Sequence, residues 1–153
     1  MSEAVAPRSR IIAGLCAFCL SFGALAPSAF AGPAQDYTLY CQGCHGPQAQ
    51  GVPGKIPPLA RTLGRFMQNP AGREYLLRVP GAANSALSDA QLAAVLNWLA
   101  REYSAADLPA DVRWFSPEEV TRSRRTPLAA VQQARREAVG ALAAAGIHID
   151  SEY

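Results

Sequence analysis

The clearest periodicity in the chain follows a capping box. Ser88-Asp89-Ala90-Gln91 offers a serine at N-cap and a glutamine at N3, and Leu92, Val95, Leu96 and Leu99 then recur at i, i+3, i+4 and i+7. This predicts one amphipathic helix with a single apolar stripe. Leu59, Leu63, Phe66 and Met67, at i, i+4, i+7 and i+8, predict a second helical core face. Ser116-Pro117-Glu118-Glu119 starts a short helix, with Ser at N-cap, Pro at N1 and Glu at N3. Thr126-Pro127 repeats that device before a longer helix that runs to about Ala145 and is ended by Gly146. Its apolar positions, Leu128, Val131, Ala138, Val139 and Leu142, form a narrow stripe of mostly small side chains. Between these elements, Ser104 to Phe115 reads as a connector in which acidic residues alternate with small ones, anchored to the core by Trp114 and Phe115.

Composition agrees with an all-helical reading. The 153 residues are 50% hydrophobic and 17% charged, with 12 Gly and 12 Pro, a heavy alanine load and few Val, Ile and Thr. That leaves too little strand-forming material for a sandwich or a parallel sheet. The length suits one domain and excludes a large enzyme. At the N-terminus, Arg8 and Arg10 precede the uncharged run 11–26, and Pro27 leads to Ala29-Phe30-Ala31, a small-x-small cleavage signal. The run is shorter than the roughly 20 residues a membrane-spanning helix needs. The expected organisation is therefore a signal peptide over 1–31, cleaved after Ala31, a core domain over 32–103, and a connector with a C-terminal helical extension over 104–153. An uncleaved anchor is the alternative. The expected location is the periplasm, with no membrane span after cleavage, and it is export rather than the net charge of +2 that excludes nucleic acid.

The cysteine count changes after that cut. Cys16-x-x-Cys19 and Cys41-x-x-Cys44 together imitate a four-cysteine zinc ribbon, but the first pair lies inside the apolar export run. The remaining Cys41 and Cys44 are followed at once by His45. A structural disulfide is one reading. The sharper one is that Cys41-Gln42-Gly43-Cys44-His45 is the c-type haem attachment motif. Two thiols three positions apart on one helical turn can each add to a vinyl group on the same porphyrin edge, and the adjacent imidazole then faces the iron. Gly43 keeps the approach of the ring free of a side chain. A thioredoxin-like pair would need a βαβ surround that is missing here, and zinc would need a fourth ligand where the only other histidine is the distant His148.

From Tyr37 to Tyr103 the chain resembles the small bacterial class I cytochromes c. Tyr37 sits where that family places an aromatic of its N-terminal helix. Cys44-His45-Gly46 leads into Gly51-Val52-Pro53-Gly54 and Pro57-Pro58-Leu59, which looks like the family's haem-covering loop. The resemblance implies an all-α cytochrome c-like fold around one covalently bound haem c, held by Cys41 and Cys44, with His45 as the proximal iron ligand. It also implies that the Pro57 carbonyl accepts a hydrogen bond from His45 Nδ1, that Leu59 packs on the porphyrin, and that Trp98 packs across the N-terminal helix. Such a bond to the imidazole fixes its tautomer and orientation.

The sixth iron ligand departs from the family pattern. By resemblance a methionine lies in a loop about ten residues before the last helix, after a helix end like Phe66-Met67-Gln68-Asn69-Pro70; here Val79-Pro80 occupy that slot. Met67 is either a core residue or the axial ligand, and Lys55 and His148 have no local support. The resemblance implies a carrier of single electrons between redox proteins, with a periplasmic dehydrogenase or oxidase as partner and no substrate turned over. The alternatives are a haem enzyme or gas-reactive haem protein with an open iron site, and a fixed electron-entry subunit of a dehydrogenase. Lys55, Arg61, Arg65, Arg73 and Arg78, set against Glu74 alone, predict a basic collar that would steer an acidic partner.

Overall fold

A computed structural model describes residues 32–149. The export segment, with Cys16, Cys19 and the cleavage site after Ala31, lies outside the described residues. Those described are helical, with one isolated bridge between Val52 and Ile56, so the all-α expectation holds. No described helix is long and apolar enough to cross a membrane.

Helix α1 (Pro33–Tyr40) leads into the single turn α2 (Gln42–His45), and α3 (Leu63–Phe66), α4 (Pro70–Arg78), α5 (Pro80–Ala83) and α6 (Asp89–Tyr103) follow. A 3₁₀ turn over Ala105–Asp107 then precedes α7 (Pro117–Ser123) and α8 (Val131–Ala144). The Ser88 capping box forms as expected: Ser88 Oγ accepts from Gln91 N at 3.2 Å, and Gln91 Oε1 accepts from Ser88 N at 3.1 Å. Leu92, Val95, Leu96 and Leu99 are all buried. The α1–α6 crossing is aromatic, with the Tyr37 and Trp98 ring centroids 5.7 Å apart and Tyr103 meeting Trp98 edge-on at 5.7 Å. Trp98 is thus a packing residue.

Two expected helices are shorter than their stripes. Leu63, Phe66 and Met67 are buried as a helical face would have them, but the helix spans only 63–66, because Arg61 takes a left-handed φ of +59° and directs its N–H to the Tyr103 carbonyl at 2.8 Å. Leu59 reaches the same core from the preceding loop. Thr126-Pro127 does not start α8, whose N-cap is Ala130. The segment is instead tied to the end of α4, with Leu128 N donating to Arg78 O at 2.9 Å and Arg78 Nε donating to Thr126 O at 2.7 Å. These long-range bonds outweigh the local helix-start signal.

Residues 104–149 wrap the core and are held by arginines expected to lie at its surface. Arg73 is only 4% exposed. Its guanidinium grips Glu119 of α7 at both carboxylate oxygens (2.8 and 2.6 Å), donates to Arg113 O at 2.6 Å, and lies 4.2 Å from the centre of the Phe115 ring. Arg65 binds Asp107 at 2.9 Å and the His148 carbonyl at 2.8 Å. Asn97 of α6 brackets Phe115 with two bonds of 2.9 Å, and Arg101 stacks 4.1 Å above the Trp114 ring. Trp114 and Phe115 do anchor the connector. The basic collar is therefore mostly consumed inside the molecule: Arg65, Arg73 and Arg78 serve as intramolecular clamps, and Lys55 and Arg61 alone remain of the five to steer a partner.

Arg73→Ala should cost about 3 kcal/mol in thermal unfolding, since it strands a partly buried carboxylate. Arg73→Lys should rescue little, because a lysine cannot reproduce the two-pronged grip. Burial raises the Glu119 carboxyl, but the Arg73 hydrogen bond and charge, with Arg113 and Arg122, outweigh it and hold the pKa below its ordinary 4.5. A depressed folded-state pKa gives stability that is present above 4.5 and is lost as pH falls through the lower folded value. Melting temperatures measured from pH 6 down to pH 3 should show that loss, and Glu119→Gln should remove this component of it.

Candidate functional site

The attachment motif is built at a kink. Cys41 (φ −125°, ψ −38°) closes α1 and opens α2, and its carbonyl accepts from Cys44 N at 3.2 Å and His45 N at 3.0 Å. One turn thus carries both thiols and the imidazole. Neither thiol forms a disulfide; Cys41 is half-buried and Cys44 exposed. A Cβ built on Gly43, between them, would meet nothing within 4 Å.

The loop after the motif folds back on itself and delivers Pro57 to His45. Gly51 N donates to His45 O at 2.8 Å, Val52 and Ile56 exchange both backbone bonds (2.9 and 2.8 Å), and the buried Ala49 carbonyl accepts from Leu59 N at 2.8 Å and Ala60 N at 3.0 Å. Gly51 is required twice over: its φ is +69°, and a Cβ there would lie 2.3 Å from the Ile56 carbonyl oxygen. At the end of this path the Pro57 carbonyl oxygen stands 3.1 Å from His45 Nδ1, twelve residues apart in the chain. A carbonyl only accepts, so Nδ1 carries the proton and Nε2 keeps its lone pair. Burial pulls the His45 pKa below its ordinary 6.5, with the Pro57 bond opposing, so the ring is neutral at pH 7. Leu59 lies half-buried beside the same loop.

Behind the motif, Tyr37 donates its hydroxyl hydrogen to the Gly46 carbonyl. Asp36, 3% exposed on α1, accepts from Gln91 Nε2 at 3.3 Å. Burial, with the charges of Asp36 and Cys44 adding, pushes the Cys41 thiol up to about 11. A redox-active or catalytic cysteine needs the opposite shift, which removes the thioredoxin-like reading. No cluster of three or more His, Cys, Asp or Glu able to hold a metal ion exists among the described residues. The donor set that remains, two free thiols on one turn, an open glycine between them and an imidazole with a free Nε2, fits covalent attachment of a porphyrin with the iron facing His45.

The structure brings Cys41, Cys44, His45 and Pro57 together. Lys55 sits in the turn leading to Pro57, and His148 lines a separate cleft of about 460 Å³ with Arg65, Gln68 and Asp107. Asp36, Ser85 and Arg124 were invisible to sequence reasoning, because nothing local marks a lone acid, serine or arginine whose partners lie 30 or more positions away.

No protein-family model matches the chain. A cytochrome c-552 of Thermus thermophilus is 33% identical over 106 residues, taking in 58% of this chain and 81% of the relative. A second cytochrome c-552, from another record of the same species, is 34% identical over 106 residues, 58% of this chain and 72% of the relative.

Gly51→Ala should destabilise the protein by about 2 kcal/mol, from the left-handed backbone alone, with the clash adding to it. Gly43→Ala should be neutral in the haem-free chain, where the added methyl meets no atom. Urea denaturation of the pair measures the difference.

Proposed function

The chain belongs to the class I c-type cytochromes, and from that premise we propose that it is an exported monohaem carrier, passing single electrons between larger redox proteins in the periplasm. Membership makes it an electron-transfer protein with covalently bound haem c. The observation that carries the rest is the His45–Pro57 bond, which leaves Nε2 as the free donor on the turn that also holds both thiols. When bound, haem supplies an iron that alternates between ferric and ferrous by one electron.

The chain's own residues do the remaining work. Cys41 and Cys44 hold the porphyrin through thioether bonds, Pro57 keeps the imidazole of His45 oriented and electron-rich, and Leu59 covers the ring. The exposed large hydrophobics among the described residues, Leu39 (70%), Tyr40 and Val52, all flank the motif. A small apolar surface of this kind suits a brief encounter with a dehydrogenase or an oxidase, in which electrons pass without a tight complex. Export is supported by the basic start, the apolar run and the small-x-small site before Gly32.

Expression in a host with a cytochrome c maturation system should yield a red protein with one iron per chain, its haem resistant to acid-acetone extraction. Changing both Cys41 and Cys44 to Ala should abolish covalent haem. Intact mass should place the N-terminus at Gly32. A colourless, well-folded product would end this reading.

A further inference from the structure

Among the described residues, Ser85 Oγ is a buried side-chain polar atom with no hydrogen-bond partner. Such an atom is costly enough that a native structure holding one asks for a missing partner. Ser85 is not on a loose loop. Arg124 of the C-terminal extension donates to the carbonyls of Ala83 (3.2 Å), Ser85 (2.8 Å) and Leu87 (2.8 Å) and pairs with Asp89 at 3.0 Å, so the segment between α5 and α6 is clamped from outside.

By family resemblance this α4–α6 connection faces the iron opposite His45 and supplies the sixth ligand. Here it reads Val79-Pro80-Gly81-Ala82-Ala83-Asn84-Ser85-Ala86-Leu87-Ser88, with no sulfur, imidazole or amine, and side chains no longer than those of asparagine or leucine. Met67, the one methionine among the described residues, is 4% exposed in the core beside Leu63 and Phe66, and its carbonyl accepts from Arg73. His148 lines the cleft with Arg65, and Lys55 belongs to the loop that serves His45.

Resting on the haem assignment above, we infer that the sixth iron position is open to a small exogenous ligand, a neutral diatomic on ferrous iron or a small anion on ferric iron, and that Ser85 Oγ is the hydrogen-bond donor to it. The short side chains of residues 81–86 leave room for such a ligand, and the Arg124 clamp keeps that room from collapsing. Binding of this kind forms one iron–ligand bond and transfers no electron.

The test uses the haem-loaded protein, and a pyridine haemochrome spectrum first establishes covalent haem. If that fails, the haem assignment falls and not this one. With haem in place, the ferrous protein should bind carbon monoxide in a single second-order step, and Met67→Leu should leave the ferric spectrum unchanged. Ser85→Ala should speed cyanide dissociation from the ferric protein about fivefold, as loss of one hydrogen bond would, while Ser85→Thr restores it and carbon monoxide rates stay within about twofold. A carbon monoxide rate that saturates with concentration, limited by loss of an internal ligand, overturns the open site. So does a near-infrared sulfur-to-iron band that Met67→Leu removes. Unchanged cyanide dissociation in Ser85→Ala overturns the role of Ser85, whatever that variant does to stability.

Discussion

The site depends on one hydrogen bond, from His45 Nδ1 to the Pro57 carbonyl. An imidazole can present either nitrogen, and only the partner of one decides what the other offers. To put a carbonyl at that place the loop closes through backbone bonds at both ends, with Ala49 at φ +55° and Gly51 at +69° accepting left-handed backbone to do so. Burial keeps the ring neutral. Geometry, tautomer and charge state therefore follow from one loop, and the aromatic α1–α6 crossing holds the other side of the motif still.

The C-terminal extension changes the balance of forces in a small helical domain. Polar and ionic grips, rather than an apolar seam, join it to the core: Arg73 to Glu119, Arg65 to Asp107, Arg124 to the α5–α6 segment, and Asn97 to Phe115. Even α8 places Arg135 on its buried face, 5.5 Å from the centre of the Phe66 ring, where a regular stripe would carry an aliphatic residue. Such contacts are directional and fix one register of packing, while contributing less net energy than the same area of hydrocarbon.

What was legible in the sequence was what is local. The Ser88 box, the Ser116 cap and the stop at Gly146 show because each signal and its structural consequence lie within four residues. The motif shows for the same reason. The resemblance supplied the link from His45 to Pro57, which periodicity alone does not contain. Arg61 ended the helix expected from Leu59 because its N–H found a carbonyl 42 residues away, and Thr126-Pro127 failed as a helix start because α4 held that segment first. The arginine-rich stretch looked like a surface collar because the carboxylate that buries Arg73 lies 46 residues downstream. Charge pattern alone cannot distinguish a solvated arginine from a clamped one.

The Asp36–Gln91 contact, set beside Cys41, bears on how the chain meets an oxidising environment. With the Cys41 thiol at about 11 in the folded chain, its thiolate fraction at neutral pH is on the order of one part in ten thousand. Since the thiolate is the species that attacks a disulfide, folding ahead of haem addition makes Cys41 a slow participant in thiol exchange. The unfolded chain has no such shelter. The buried carboxylate thus acts as a timing element: it keeps the two sulfurs reduced and apart for as long as the first turn of the domain stays formed.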